Sequence, residues 1–170
     1  TAALLHDIGK LAVPEHILSK PGPLTQEEFQ KIRIHPQVGA EIISAVPFPY
    51  PVAPLILSHH ERWDGKGYPQ GWKGDDIPLG ARIISVVDAY VAMSSARPHR
   101  PALSAEAAVD ELERQAGQQF DPEVVEALIR VLEKAPAVHD GRGKPSVVVC
   151  DGDGEFRKLL QMRLVNDGYD

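Results

Sequence analysis

The sequence predicts an all-α helical bundle, followed near its C-terminal end by a short strand and helix that open an α/β unit. Three observations predict it. Apolar residues recur at helical spacing through most of residues 1–135, interrupted by proline and glycine. Several of those segments open on start signals: Thr25-Gln26-Glu27-Glu28, Ser104 and Asp121-Pro122. Ser146-Val147-Val148-Val149-Cys150 is the one run that reads as a buried strand.

Taken in order, Thr1-Ala2-Ala3-Leu4-Leu5 reads as the middle of a buried helix, so the chain is expected to be cut at its N-terminus. It runs into His6-Asp7-Ile8-Gly9-Lys10, where Gly9 reads as a helix stop. Residues 14–19 form a short helix opened by Pro14, with His16 at the surface, and Lys20-Pro21-Gly22-Pro23 is a turn. Thr25 and Glu28 form a capping box, and Phe29, Ile32 and Ile34 supply the apolar positions of the helix they start. Pro36 disfavours helical geometry at the residue before it and needs no backbone donor at a helix start. His35 therefore sits at a junction from which its side chain can be aimed inward.

Val38, Ile42 and Ile43 carry the next helix as far as Pro47-Phe48-Pro49-Tyr50-Pro51. Residues 52–60 form a helix, apolar at Leu55, Ile56 and Leu57, that ends on the adjacent pair His59-His60. Residues 61–69 make a loop shaped by Gly65, Gly67 and Pro69, and residues 71–78 continue it. Residues 79–95 read as a buried helix, apolar nearly all round through Ile83, Ile84, Val86, Val87, Val91 and Met93. Asp88 lies in its middle, and a buried carboxylate is costly unless it is paired or binds metal. Arg97-Pro98-His99-Arg100-Pro101 closes that helix, with two arginines placed around a proline turn as a phosphate clamp would require. Ser104 caps a helix to Gln115, and Asp121-Pro122 starts one to about Lys134. The expected organisation is a helical domain over 1–135, a linker over 136–145, and an incomplete second domain over 146–170.

Composition narrows the chemistry. A net charge of −6 on 170 residues argues against a surface that binds nucleic acid polymers, so phosphate must be met by local Lys or Arg, or by metal. The single cysteine excludes an internal disulfide and a thiolate zinc site, and favours the cytoplasm. No run is long and apolar enough to cross a bilayer.

His6, Asp7, His35, His59, His60 and Asp88 lie on separate helical segments, with two adjacent pairs among them. Helical bundles build dinuclear metal sites in this way, from imidazoles and carboxylates on facing helices. Nitrogen and oxygen donors without thiolate suit iron, manganese, zinc or cobalt. Two such cations close together suit in-line displacement at phosphorus. Lys10, Lys66, Arg97 and Arg100 are the candidate phosphate contacts around them.

His6-Asp7-Ile8-Gly9-Lys10, together with His59-His60-Glu61-Arg62-Trp63-Asp64-Gly65-Lys66-Gly67-Tyr68-Pro69, resembles the HD-GYP family, a branch of the HD phosphohydrolases. The likeness continues through Lys20-Pro21-Gly22, His35-Pro36, Asp88, Arg97-Pro98 and Phe120-Asp121-Pro122, and covers about residues 1–135. It implies an HD-type helical bundle and a bacterial phosphodiesterase that converts cyclic di-GMP to pGpG or GMP on two or three iron or manganese ions. By position, His6, Asp7, His35, His59, His60 and Asp88 would be metal ligands, with Asp7 bridging. Lys10 would contact the scissile phosphate, Arg97 and Arg100 the substrate phosphates, and Lys66 and Tyr68 would line the substrate pocket. The loop would also offer a surface to signalling proteins, and a module that works through such partners without turnover is the alternative reading.

The sequence departs from the family pattern in places. Family members carry a further His, and often a Glu, upstream of the His-Asp pair, where this sequence has no counterpart. Ala96 and His99 stand where Asp and Tyr are usual, and Val91 where Asp is frequent. Residues 146–170 resemble the opening of a response-regulator receiver domain. Asp151 matches its first acidic position, Gly152 stands at the second, and Asp153 falls one position late.

Overall fold

The computed structural model describes residues 1–96 and 101–134. The arginine turn, the linker and the strand-helix unit expected after it lie outside the described residues. The described residues are helical: α1 (Ala2–Leu5), α2 (Glu15–Leu18), α3 (Gln26–Ile32), α4 (His35–Ser44), α5 (Val52–Ser58), α6 (Leu79–Ser94), α7 (Ala105–Gln115) and α8 (Pro122–Lys134). Tight 3-10 segments lie at Ile8–Ala12 and Gly74–Asp76. Among the described residues there is no sheet, only an isolated bridge between Ala116 and Phe120. No helix among them is long and apolar enough to cross a membrane.

The caps sit where the sequence places them. Thr25 Oγ1 accepts from the Glu28 backbone N–H at 3.2 Å, and the Glu28 carboxylate accepts from the Thr25 N–H at 2.7 Å, closing the capping box of α3. Ser104 Oγ accepts from Ala107 N–H, and Asp121 Oδ1 from Glu123 N–H, at the starts of α7 and α8.

Two apolar clusters hold the bundle. Ala2, Ile43, Val52, Ile56 and Ile84 form one, from α1, α4, α5 and α6. Val86, Leu112, Phe120, Val124 and Val125 form the other, from α6, α7, α8 and the turn before α8. Helix α6 therefore stands between the clusters, giving Ile84 to one and Val86 to the other. It is not buried all round, as its composition suggests. Leu79, Ile83, Val87 and Val91, spaced at every fourth residue, form an exposed stripe.

Two further expectations are corrected. In α1 only Ala2 is buried and Leu4 is exposed, so the helix is one-sided. Gly9 does not stop it. Helix α1 ends at Leu5, and Gly9 lies buried inside the following 3-10 segment. A Cβ on Gly9 would stand 1.9 Å from the His35 carbonyl oxygen and 2.6 Å from the Gly39 nitrogen. Glycine is needed there because two backbones touch, and that contact brings the His6-Asp7 pair against the start of α4.

Candidate metal centre

Four segments converge on one point. His6 caps the C-terminal end of α1, and Asp7 precedes the 3-10 turn. His35 opens α4 directly after Ile34, with Pro36 beside it in the first turn, so the junction read in the sequence becomes a helix start. His59 ends α5, His60 follows it, and Asp88 projects from α6. His35 and His59 are each 1% exposed. His6 Nε2 lies 3.6 Å from Asp7 Oδ2 and 3.7 Å from Asp88 Oδ1. His35 Nε2 lies 3.5 Å from Asp7 Oδ1 and 3.3 Å from His59 Nε2. The His60 ring centre is 4.1 Å from that of His59 and 4.9 Å from that of His35. All six residues singled out in the sequence thus meet in one cluster.

Asp88 corrects one step of the sequence argument. Its side chain is 43% exposed, so it is not the buried carboxylate that the apolar run suggests. It sits at the border between the imidazoles and solvent. The exposed stripe of α6 turns with it, and a helix half open to water does not bury its polar position.

The backbone decides how the rings present themselves. Nδ1 of His6, His35 and His59 lies 2.7, 2.7 and 2.6 Å from the carbonyl oxygen three residues earlier, on Ala3, Ile32 and Ile56. A neutral imidazole has one N–H, and in each case Nδ1–H donates it to that carbonyl. Nε2 is left as a bare lone pair aimed into the cluster, the arrangement by which metal-binding histidines are oriented. In this state the His35 and His59 lone pairs face each other at 3.3 Å, which is repulsive unless a cation stands between them. Two nitrogens bound at about 2.1 Å to a tetrahedral ion lie roughly 3.4 Å apart, so the spacing fits.

The donors also divide into two overlapping sets. The ligand atoms of His35, His59 and His60 lie within 4.8 Å of one another, and so do those of His6, Asp7 and His59. The residues present fit a divalent cation.

Burial favours the neutral form of three of the four rings. Burial, helped by neighbouring imidazoles, pushes His60 down to about 3 and His59 down to about 4, and burial also lowers His35. His6 differs. Burial works to lower it, but the Asp88 carboxylate, the Ala3 carbonyl and Asp7 outweigh burial and raise it. Burial likewise opposes the charged form of Asp7, but the hydrogen bond from Lys10 Nζ at 2.5 Å together with the charges of His6, Lys10 and His35 outweighs it, so Asp7 titrates below its usual range. Asp88 is lowered chiefly by its contact with His6.

The loop after the histidines is fastened from both ends. The Glu61 carboxylate, almost fully buried, accepts from the backbone N–H groups of Gln70, Gly71 and Trp72 at 2.6, 3.1 and 3.1 Å. Arg62 forms a fork on Asp64 and donates to Gln119, while Trp63 N–H and Asp64 N–H donate to the Gln119 and Gln118 carbonyls. The Tyr68-Pro69 bond is cis. The loop folds back so closely that a Cβ on Gly67 would lie 2.4 Å from Arg62 N. This brings Tyr68 onto His60, stacked at 5.0 Å between ring centres.

Of the candidate phosphate contacts, Lys10 is beside the cluster through Asp7. Lys66 projects from the loop, 81% exposed, with its ammonium 3.8 Å from Asp64. Arg97 and Arg100 lie outside the described residues. Sequence reasoning gave no role to Glu61, whose three bonds depend on how the loop folds, or to Arg33, which lies 4.6 Å from the centre of the Tyr68 ring. In the sequence each is one more charged residue in a polar stretch.

Fold and cluster together define an all-helical domain with a candidate metal centre of imidazoles and carboxylates. The chain belongs to the HD domain family, whose model matches residues 1–124. It is 47% identical over 131 residues to the cyclic di-GMP phosphodiesterase response regulator RpfG of Xanthomonas campestris pv. campestris, a match covering 76% of this chain and 35% of that protein. It is 46% identical over 135 residues to a cyclic di-GMP phosphodiesterase of Thermotoga maritima, covering 78% of this chain and 36% of the relative. The chain thus spans about a third of the length of these relatives. The solved structure of Bd1817, an HDG"Y"P protein from Bdellovibrio bacteriovorus, shares the fold with a TM-score of 0.58 at 22% identity, over 78% of this chain and 42% of that one.

Proposed function

We propose that this chain carries a phosphodiesterase domain of the HD-GYP branch, acting in the bacterial cytoplasm on cyclic di-GMP to give pGpG, GMP or both. The convergence of His6, Asp7, His35, His59, His60 and Asp88, with bare Nε2 lone pairs facing inward, is the observation that carries the reading. The names of the two relatives supply the substrate. The six residues would hold two or three divalent ions, iron or manganese. Bound there, such ions supply Lewis acidity toward a phosphoryl oxygen and a nucleophile at neutral pH.

The residues around them have distinct tasks. His59 is common to both donor sets, and Asp7, with one oxygen 3.6 Å from His6 Nε2 and the other 3.5 Å from His35 Nε2, would bridge the ions. Lys10 keeps its ammonium against Asp7, where it can neutralise charge on the scissile phosphate. Tyr68, stacked on His60, would form a wall of the substrate pocket, and Arg97 and Arg100 would add positive charge toward the substrate phosphates. Residues 146–170 would begin a receiver-like domain.

The test is hydrolysis of cyclic di-GMP by protein loaded with manganese or iron, beside Asp7→Ala. The wild-type chain is expected to release the linear dinucleotide or GMP, and Asp7→Ala to abolish release. Tight binding by the metal-loaded wild type with no cleavage would replace this reading with that of a binding module.

A further inference from the structure

The described part of the chain holds five arginines, and four of them are paired with carboxylates. Arg62 pairs with Asp64, Arg82 with Asp75 and Asp121, Arg114 with Glu111, and Arg130 with Glu126. Arg33 is the exception. It ends α3, it is half-buried, and among the described residues no group accepts a hydrogen bond from its guanidinium. Its one close partner is the Tyr68 ring, whose centre is 4.6 Å from the guanidinium carbon. Phe29 meets the same ring edge-on at 6.4 Å.

A guanidinium stays charged at any ordinary pH. Arg33 is half-buried with no protein acceptor among the described residues, so its donors are open to an anion from solution. A guanidinium held over an aromatic ring can keep N–H donors available for phosphate oxygens. Although Arg33 precedes His35 by two residues, its guanidinium lies over the Tyr68 ring, and that ring is what stacks on His60. A phosphate held by Arg33 is therefore not the one undergoing reaction.

We propose that Arg33 is a substrate-binding residue that contacts the second, non-reacting phosphate of a cyclic dinucleotide, with Tyr68 as its platform. This inference rests on the phosphodiesterase reading and adds a residue to the substrate pocket.

The experiment compares the manganese-loaded wild-type chain with Arg33→Met and Arg33→Lys. Binding of a fluorescent cyclic di-GMP is measured directly, and hydrolysis is followed for cyclic di-GMP and for bis(p-nitrophenyl) phosphate, which has a single phosphate. Arg33→Met is expected to weaken binding at least ten-fold and to raise KM by a similar factor, while kcat falls less than three-fold. The ratio of kcat/KM between the dinucleotide and the small diester should fall about ten-fold. Arg33→Lys, which keeps the charge and most of the stem, should recover part of the loss. Unchanged dinucleotide binding in Arg33→Met would overturn the proposal. So would an equal loss on both substrates accompanied by loss of bound manganese, because Arg33 would then only brace Tyr68 against His60. A wild-type chain that neither binds nor cleaves the dinucleotide would instead overturn the phosphodiesterase reading, and this inference with it.

Discussion

Gly9→Ala is expected to damage stability and metal binding together, although Gly9 carries no functional group. An added Cβ would lie 1.9 Å from His35 O, 2.8 Å from His35 C and 2.6 Å from Gly39 N. All three are backbone atoms, so no side chain can rotate out of the way. An unstrained C···O contact is about 3.3 Å or more, so the 3-10 segment must move off α4 by roughly 1.4 Å. Overpacking of this kind destabilises by about 1–3 kcal/mol, and the upper end is expected where only backbone can yield.

The same shift separates Asp7 from His35, now 3.5 Å apart between Oδ1 and Nε2. Disturbing what holds the ligands in place typically costs about 10–100-fold in metal affinity, so binding of manganese should weaken by about that factor. Urea unfolding of metal-free protein reads the first effect, and calorimetric titration with manganese reads the second. A variant within about 0.5 kcal/mol of wild type, ordinary for a surface substitution, and binding manganese equally well would refute the backbone-contact argument.

Two further outcomes follow from the same geometry. Glu61→Gln replaces a carboxylate that accepts three backbone N–H bonds with an amide whose NH2 group faces donors. A loss of about 2–3 kcal/mol is expected, with faster hydrogen exchange at Gln70, Gly71 and Trp72, and wild-type exchange there would contradict the cradle. Metal-free protein should lose stability as pH falls below about 6.5. His59 and His60 have their folded pKa lowered to about 4 and about 3, so between those values and 6.5 the unfolded chain binds protons that the folded chain refuses. At pH 5 each ring should remove about 2 kcal/mol, offset in part by His6, whose raised pKa acts in the opposite direction. Equal urea midpoints at pH 7 and pH 5 in the presence of a chelator would contradict it.

The sequence by itself determined the helical class, the caps at Thr25, Ser104 and Asp121, and the six imidazole and carboxylate residues as candidates for one cluster. Those features are local: apolar spacing, a hydroxyl or carboxylate beside free N–H groups, and side-chain types with known chemistry. It did not determine which side of α6 meets solvent, because a helix apolar on several faces has no face marked as inner. The apolar run therefore suggests a buried Asp88, whereas its side chain lies at the border of the site. Only the tertiary structure decided that Gly9 is a contact between backbones, that Glu61 ties down the loop, and that Arg33 is left without a carboxylate. Each of these depends on residues distant in the chain arriving at one place. The direction of the Nε2 lone pairs belongs with them: any histidine can donate Nδ1–H to the carbonyl three residues back, but only the packing of α1, α4 and α5 makes three such rings face one another.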